Sequence, residues 1–157
     1  MPATPSHPPR IGNTYRFPIV GVTTIADCTW ELALASSAAV RALVAYRLFG
    51  NSAYYLTICR RSSAFTGGTS AAMTAAKVDS NSPSATLTGK QFSVAQTGGG
   101  VLVATLGRVL VTNTIQLPPD PLPWASPLVL NPGEWLTLDA SGAVASSGYL
   151  EWVEIPT

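Results

Sequence analysis

The chain has 157 residues, 46% of them hydrophobic and only 11% charged, and its nine Lys and Arg nearly balance eight Asp and Glu for a formal net charge of +1. That length fits one domain with a true apolar core and no need of metal or disulfide staples; the near-zero charge leaves no electrostatic footprint for nucleic acid or for an anionic membrane. A soluble domain ordinarily carries about 25% charged residues, so a chain this poor in charge is expected to hide much of its exterior against neighbouring subunits.

Met1 to Asn13 holds four prolines together with Ser, Thr and His7. Such a segment has little apolar area to bury and lacks several backbone donors, so it reads as an extended arm, 1–13, ahead of a single β-sandwich domain over 14–157. A terminus without a role and an arm that docks on a partner remain equally open; on the docking reading Pro8, Pro9 and Arg10 are contact residues. No apolar signal-peptide core is visible in the arm, and no run approaches the roughly 18 apolar residues of a membrane helix. The expectation is synthesis and assembly in a cytoplasm.

Thr14 to Ile25 is rich in branched and aromatic residues, but Pro18 excludes a central strand position, so an edge strand or one starting after the proline is expected. Thr29 to Ala35 alternates, with Trp30, Leu32 and Leu34 on one face and Thr29 and Glu31 on the other. Val40 to Phe49 satisfies a period of two with Val40, Ala42, Val44, Tyr46 and Leu48 aligned, although its alanines and leucines also suit a helix. The Gly50-Asn51 turn and the alternating Tyr54, Leu56, Ile58 and Arg60 that follow favour a strand and predict a hairpin.

From Ser62 to Gly100 the chain turns to Ser, Thr, Ala and Gly, with short strands expected around Ala72–Val78, Ala85–Leu87 and Phe92–Val94 and a small helix at Ser70–Lys77 as the competing reading. Val101 to Thr112 is a dense β run interrupted by Gly107. Leu117 to Pro127 packs five prolines around Trp124, a stiff, donor-poor segment. It is either a projecting subunit-contact loop with Pro121 and Trp124 as anchors or a surface crossover. In the last stretch Leu128 and Leu130, then Leu136 and Leu138, alternate around the Asn131-Pro132-Gly133 break, and Tyr149 to Ile155 is aromatic and branched. Eight or so strands predict an all-β, two-sheet antiparallel sandwich, jelly-roll-like.

Reactive chemistry finds little footing. Cys28 and Cys59 lack metal-ligand spacing and sit in apolar runs, so free buried thiols are expected. His7, the only histidine, lies in the arm, where no third group can hold an imidazole for nucleophilic catalysis. Glu151 and Glu154 stand at odd spacing on one strand and point to opposite faces. Glu134 follows a turn glycine and suits that turn's amides, and Asp79-Ser80-Asn81 reads as an Asx turn, since the glycine and glutamate of a calcium loop are missing. Gly98-Gly99-Gly100 fails the dinucleotide and phosphate-loop patterns. Arg60-Arg61 is a basic doublet at a strand end, either solvated or paired with an acidic partner across an interface. The reading is a non-enzyme without cofactor or metal.

With these residues in view, the chain resembles small tailed-phage virion proteins of the capsid decoration or cement type. The matching features are Arg60-Arg61-Ser62, Phe65-Thr66-Gly67-Gly68-Thr69-Ser70 and Asp79-Ser80-Asn81-Ser82-Pro83-Ser84-Ala85. They continue with Leu128-x-Leu130-x-Pro132-Gly133-Glu134-x-Leu136-x-Leu138 and a terminal strand bearing Glu151-Trp152. The resemblance spans about Trp30 to Glu154. It implies a β-sandwich or jelly-roll subunit, often trimeric, that binds the outer face of the major capsid protein shell and stabilises neighbouring capsomers. It carries over no catalytic residue. The chain departs from the pattern in the bulky Trp135 after Pro-Gly-Glu and in the proline-rich Leu117–Pro127. Trp135 joins the arm, Arg60, Arg61, Pro121 and Trp124 as an expected contact residue. Two alternatives stand beside this reading: a neck or tail component of the virion, or a carbohydrate-binding adhesion module using Trp124, Trp135, Tyr54 and Tyr55.

Overall fold

Residues 12–113 and 128–157 are described by the computed structural model, and they form strands and turns without a helix. In chain order the strands are β1 (Asn13–Thr23), β2 (Asp27–Ala33), β3 (Val40–Gly50), β4 (Tyr54–Arg61), β5 (Phe65–Thr66), β6 (Thr69–Ala72) and β7 (Ala76–Lys77). They continue as β8 (Thr88–Val94), β9 (Gly98–Gly99), β10 (Leu102–Val111), β11 (Leu128–Leu130), β12 (Trp135–Ala140) and β13 (Ala145–Pro156). One sheet has five strands in the order β11-β3-β13-β1-β7, and the other has six in the order β10-β4-β12-β2-β8-β6.

The pairing is nested: β1 with β13, β2 with β12, β3 with β11 and β4 with β10, all antiparallel. Such a ribbon, rolled so that β13 also meets β3 and β12 also meets β4, is the jelly-roll form of the sandwich. The stretch between β4 and β10 adds β6 and β8 to the six-stranded sheet, β7 to the five-stranded one, and a separate β5–β9 pair.

The core follows from the period of two. Tyr15, Phe17 and Ile19 of β1, Ala42 and Val44 of β3, and Leu150 and Trp152 of β13 close on Trp30 and Leu32 of β2, Leu56 and Ile58 of β4, and Leu136 and Leu138 of β12. Burying each large side chain contributes about 2 kcal/mol. Trp152 anchors the five-stranded side, its ring 4.4 Å from Phe17 and 5.5 Å from Tyr15 between centroids. Gly89 on β8 is required here, because a Cβ at that position would lie 2.7 Å from the Phe17 ring.

Two local expectations need correction, and two left as alternatives are decided. β3 and β4 are not a hairpin: they belong to opposite sheets, and residues 51–53 cross between them. Each has a longer partner elsewhere, β13 for β3 along Val40–Gly50 and β10 for β4, so a turn-like Gly-Asn served a crossing. β1 does not begin after Pro18 but runs through it. The short β7 covers β1 only at Tyr15 and Arg16, so beyond them that side of the strand is open and the missing amide costs no ladder bond. Residues 85–87 form no strand, and Thr86 and Leu87 give their amides to the Glu154 carboxylate instead. The Ser70–Lys77 stretch is two short strands, not a helix.

Candidate interaction surfaces

The residues expected to meet partners divide by position. Pro8, Pro9, Arg10, Pro121 and Trp124 lie outside the described residues. Arg60, Arg61 and Trp135 come together where β4 and β12 run side by side, with Trp135 opposite Arg61 and Leu136 opposite Arg60. The arginines are not a solvated doublet, however. Their alternation sends Arg60 toward β11, where Nη2 donates to the Val129 carbonyl at 2.8 Å and Nε faces Glu134 at 3.6 Å. Arg61 points to the opposite face of the sheet and is held inside its own chain.

That face carries a polar cluster buried under the β5–β9 pair. Arg61 donates to Asp139 Oδ2 at 2.8 Å, to Thr137 Oγ1 at 2.9 Å and to the Gly100 carbonyl at 2.6 Å, and its guanidinium lies 4.5 Å from the centre of the Phe65 ring. Glu31, 1% exposed, pairs with Lys90 at 2.8 Å and accepts the Phe65 amide at 2.7 Å. Phe65 meets Phe92 edge to face, and Gln96 donates to the Cys28 carbonyl. Two cations and two carboxylates balance: Arg61–Asp139 and Lys90–Glu31 join neighbouring strands of the six-stranded sheet, while the Phe65 amide and ring, Gln96 and the Gly100 carbonyl tie the β5–β9 flap to it. Sequence reasoning placed Glu31 on the non-core face, correctly, but had no signal that residues 65 and 96–100 would return to cover it.

Cys28 and Cys59 are free, buried thiols. Burial, reinforced by Asp139, pushes both above the ordinary thiol value, Cys28 far above it, so neither supplies a thiolate near neutrality. Among the described residues, no three His, Cys, Asp or Glu side chains are grouped to hold a metal ion, and no helix is long and apolar enough to cross a membrane. A groove of about 340 Å³ between Met73, Lys77, Leu87 and Gly89 has Lys77 as its one ionisable lining residue, without the acid and base that proton transfer needs.

Three smaller sequence readings hold: Glu134 accepts the Asn131 amide across its turn, with Gly133 at φ +79° between them; Asn81 donates to Asp79 Oδ1 in an Asx turn; and Glu151 and Glu154 face opposite ways. Of the aromatics expected on a sugar platform, Tyr54 is instead buried, with its hydroxyl 2.9 Å from that of Ser146. Tyr55 is exposed beneath Arg108 and Trp135 is half-buried. Of the ten exposed large apolar side chains among the described residues, five gather on β10 and the residue before it: Val101, Leu102, Val103, Leu106 and Leu110. Compared with known proteins, the chain matches no family model, no curated protein and no solved structure.

Proposed function

We propose that the chain is a virion structural protein of the capsid decoration or cement type. It binds the outer face of a shell of major capsid protein, bridges neighbouring capsomers, and does so as a homotrimer on the capsid surface after synthesis in the host cytoplasm. The observation that carries this reading is a division of labour across one sheet. The charged residues Glu31, Arg61, Lys90 and Asp139 are paired with one another within the chain, while large apolar residues of β10 stand in solvent. Exposed apolar surface without a reactive cluster beside it suits contact with other subunits. Cementing needs only complementary shape and many modest contacts multiplied by symmetry.

In this reading the arm around Pro8, Pro9 and Arg10, and the segment with Pro121 and Trp124, reach the shell or a neighbouring subunit, with Trp135 at the rim. Removing residues 1–11, upstream of β1, tests the arm. The shortened chain is expected to occupy fewer sites on purified particles and to lower their resistance to heating. Unchanged occupancy and heat resistance would take the arm out of the proposal.

A further inference from the structure

Sheet edges are where a β-sandwich is vulnerable to pairing with other chains, and three of the four edges here are blunted. β6, β7 and β11 have four, two and three residues, too short to template another strand. Beyond β7 the open side of β1 carries Pro18 and a register shift between Ile19 and Val22, both devices that discourage pairing. β10 is the exception. It is ten residues long, contains no proline, and among the described residues pairs only with β4.

Its side chains match an interface core. Val101, Leu102, Val103, Leu106 and Leu110 are 60, 54, 59, 37 and 55% exposed, and Tyr55 on the neighbouring strand is 47% exposed. The sole charge of β10, Arg108, lies 4.2 Å from the centre of the Tyr55 ring. Two bulges, between Leu102 and Ala104 and between Thr105 and Gly107, interrupt the first half of this edge as the register shift does on β1, and they leave the apolar Val103 and Leu106 unopposed. From Gly107 to Val111 the pairing with β4 is regular, and among the described residues no strand pairs with the outward side of that stretch.

We infer that β10 is the subunit contact and that its occupant is a second copy of this chain, an inference that rests on the self-association in the proposed function. Residues 1–11 and 114–127 compete poorly for the place. They hold four and five prolines, which lack the amides an open strand edge requires. A foreign partner selected by charge finds no complementary charge on β10. A homo-oligomer core, apolar and depleted of charge, is what the strand fits.

Light scattering after size exclusion, with the full-length chain over a range of concentrations, tests this. The wild-type protein is expected at a multiple of 16.4 kDa. Leu106→Lys and Leu110→Lys, which place a charge in the contact, are expected to raise the dissociation constant about tenfold or more. Val20→Lys and Val94→Lys, exposed apolar positions elsewhere, are expected to leave it unchanged. Hydrogen exchange on the wild-type chain supplies a reading independent of any variant's folding: amides of Gly107–Val111 should be protected in the oligomer and lose protection on dilution. An oligomer that persists in folded β10 variants, or exchange at 107–111 that ignores dilution, overturns the inference and leaves the proposed self-association standing. A wild-type monomer at all concentrations overturns both.

Discussion

One oxygen of the Glu154 carboxylate lies 2.8 Å from the amide nitrogen of Leu87, 67 residues earlier in the chain. The same oxygen accepts the Thr86 amide at 2.7 Å and Trp152 Nε1 at 3.1 Å. Glu154 is 5% exposed, so the last strand uses a buried acceptor to fix the irregular segment around Thr86 and Leu87. Glu154→Ala leaves these donors without that acceptor and should cost about 3 kcal/mol. Glu154→Gln, which keeps a carbonyl oxygen, should cost about 1 kcal/mol. Urea unfolding of both variants checks the ordering, and an alanine variant as stable as wild type would show that the carboxylate is not the anchor.

The Arg61–Asp139 pair joins β4 to β12 beneath the β5–β9 pair by a different principle. Their side chains are 12% and 18% exposed, and breaking a buried pair from one side strands the other charge. Asp139→Ala should destabilise by about 3 kcal/mol, whereas replacing both residues by apolar ones of similar volume should cost much less. A double-mutant cycle measures the coupling. Near-additive losses would mean that the pair is solvated in practice.

Gly89→Ala addresses the core. Its new methyl would sit 2.7 Å from the Phe17 ring, which is packed on Trp152, so neither partner can yield freely. Overpacking of this kind costs about 1–3 kcal/mol. A thermal midpoint equal to wild type would show that Phe17 can turn aside.

Alkaline pH should weaken the fold. Burial raises the Cys28 and Cys59 thiols above their ordinary 9.0, and the Tyr15, Tyr46 and Tyr54 hydroxyls above 10.0. An acid whose folded value is raised stabilises fully below the unfolded value, and that contribution is lost as pH rises from the unfolded value toward the folded one. Stability is therefore expected to fall as pH climbs through 9.0 and then 10.0, and to fall less steeply in Cys28→Ala. A flat profile across that range would contradict the assignment.

What the sequence made legible is what depends on neighbours two positions away. The alternation of Trp30 with Leu32, of Ala42 with Val44 and of Leu136 with Leu138 identified core faces correctly, because a strand's period is local. The Asx turn at Asp79 and the Glu134 turn were readable for the same reason. Register between distant segments was not. Gly50-Asn51 looks like a hairpin turn until β13 and β10 are seen to outcompete the neighbouring strand. Thr86 and Leu87 look strand-like until Glu154 arrives from the far end. Arg61 looks solvated because its cover, Phe65 and Gly100, is set by the β5–β9 pairing. Of the expected contact residues, Arg60 and Arg61 turned inward, and β10, read only as a dense β run, had no local mark of being an edge.

The central claim is that this protein coats a viral shell, and the number of its copies on purified virions measures that most directly. Quantitative mass spectrometry of intact particles should find it in numbers commensurate with the major capsid protein. Copies confined to a single ring, or none on the particle, would contradict the account.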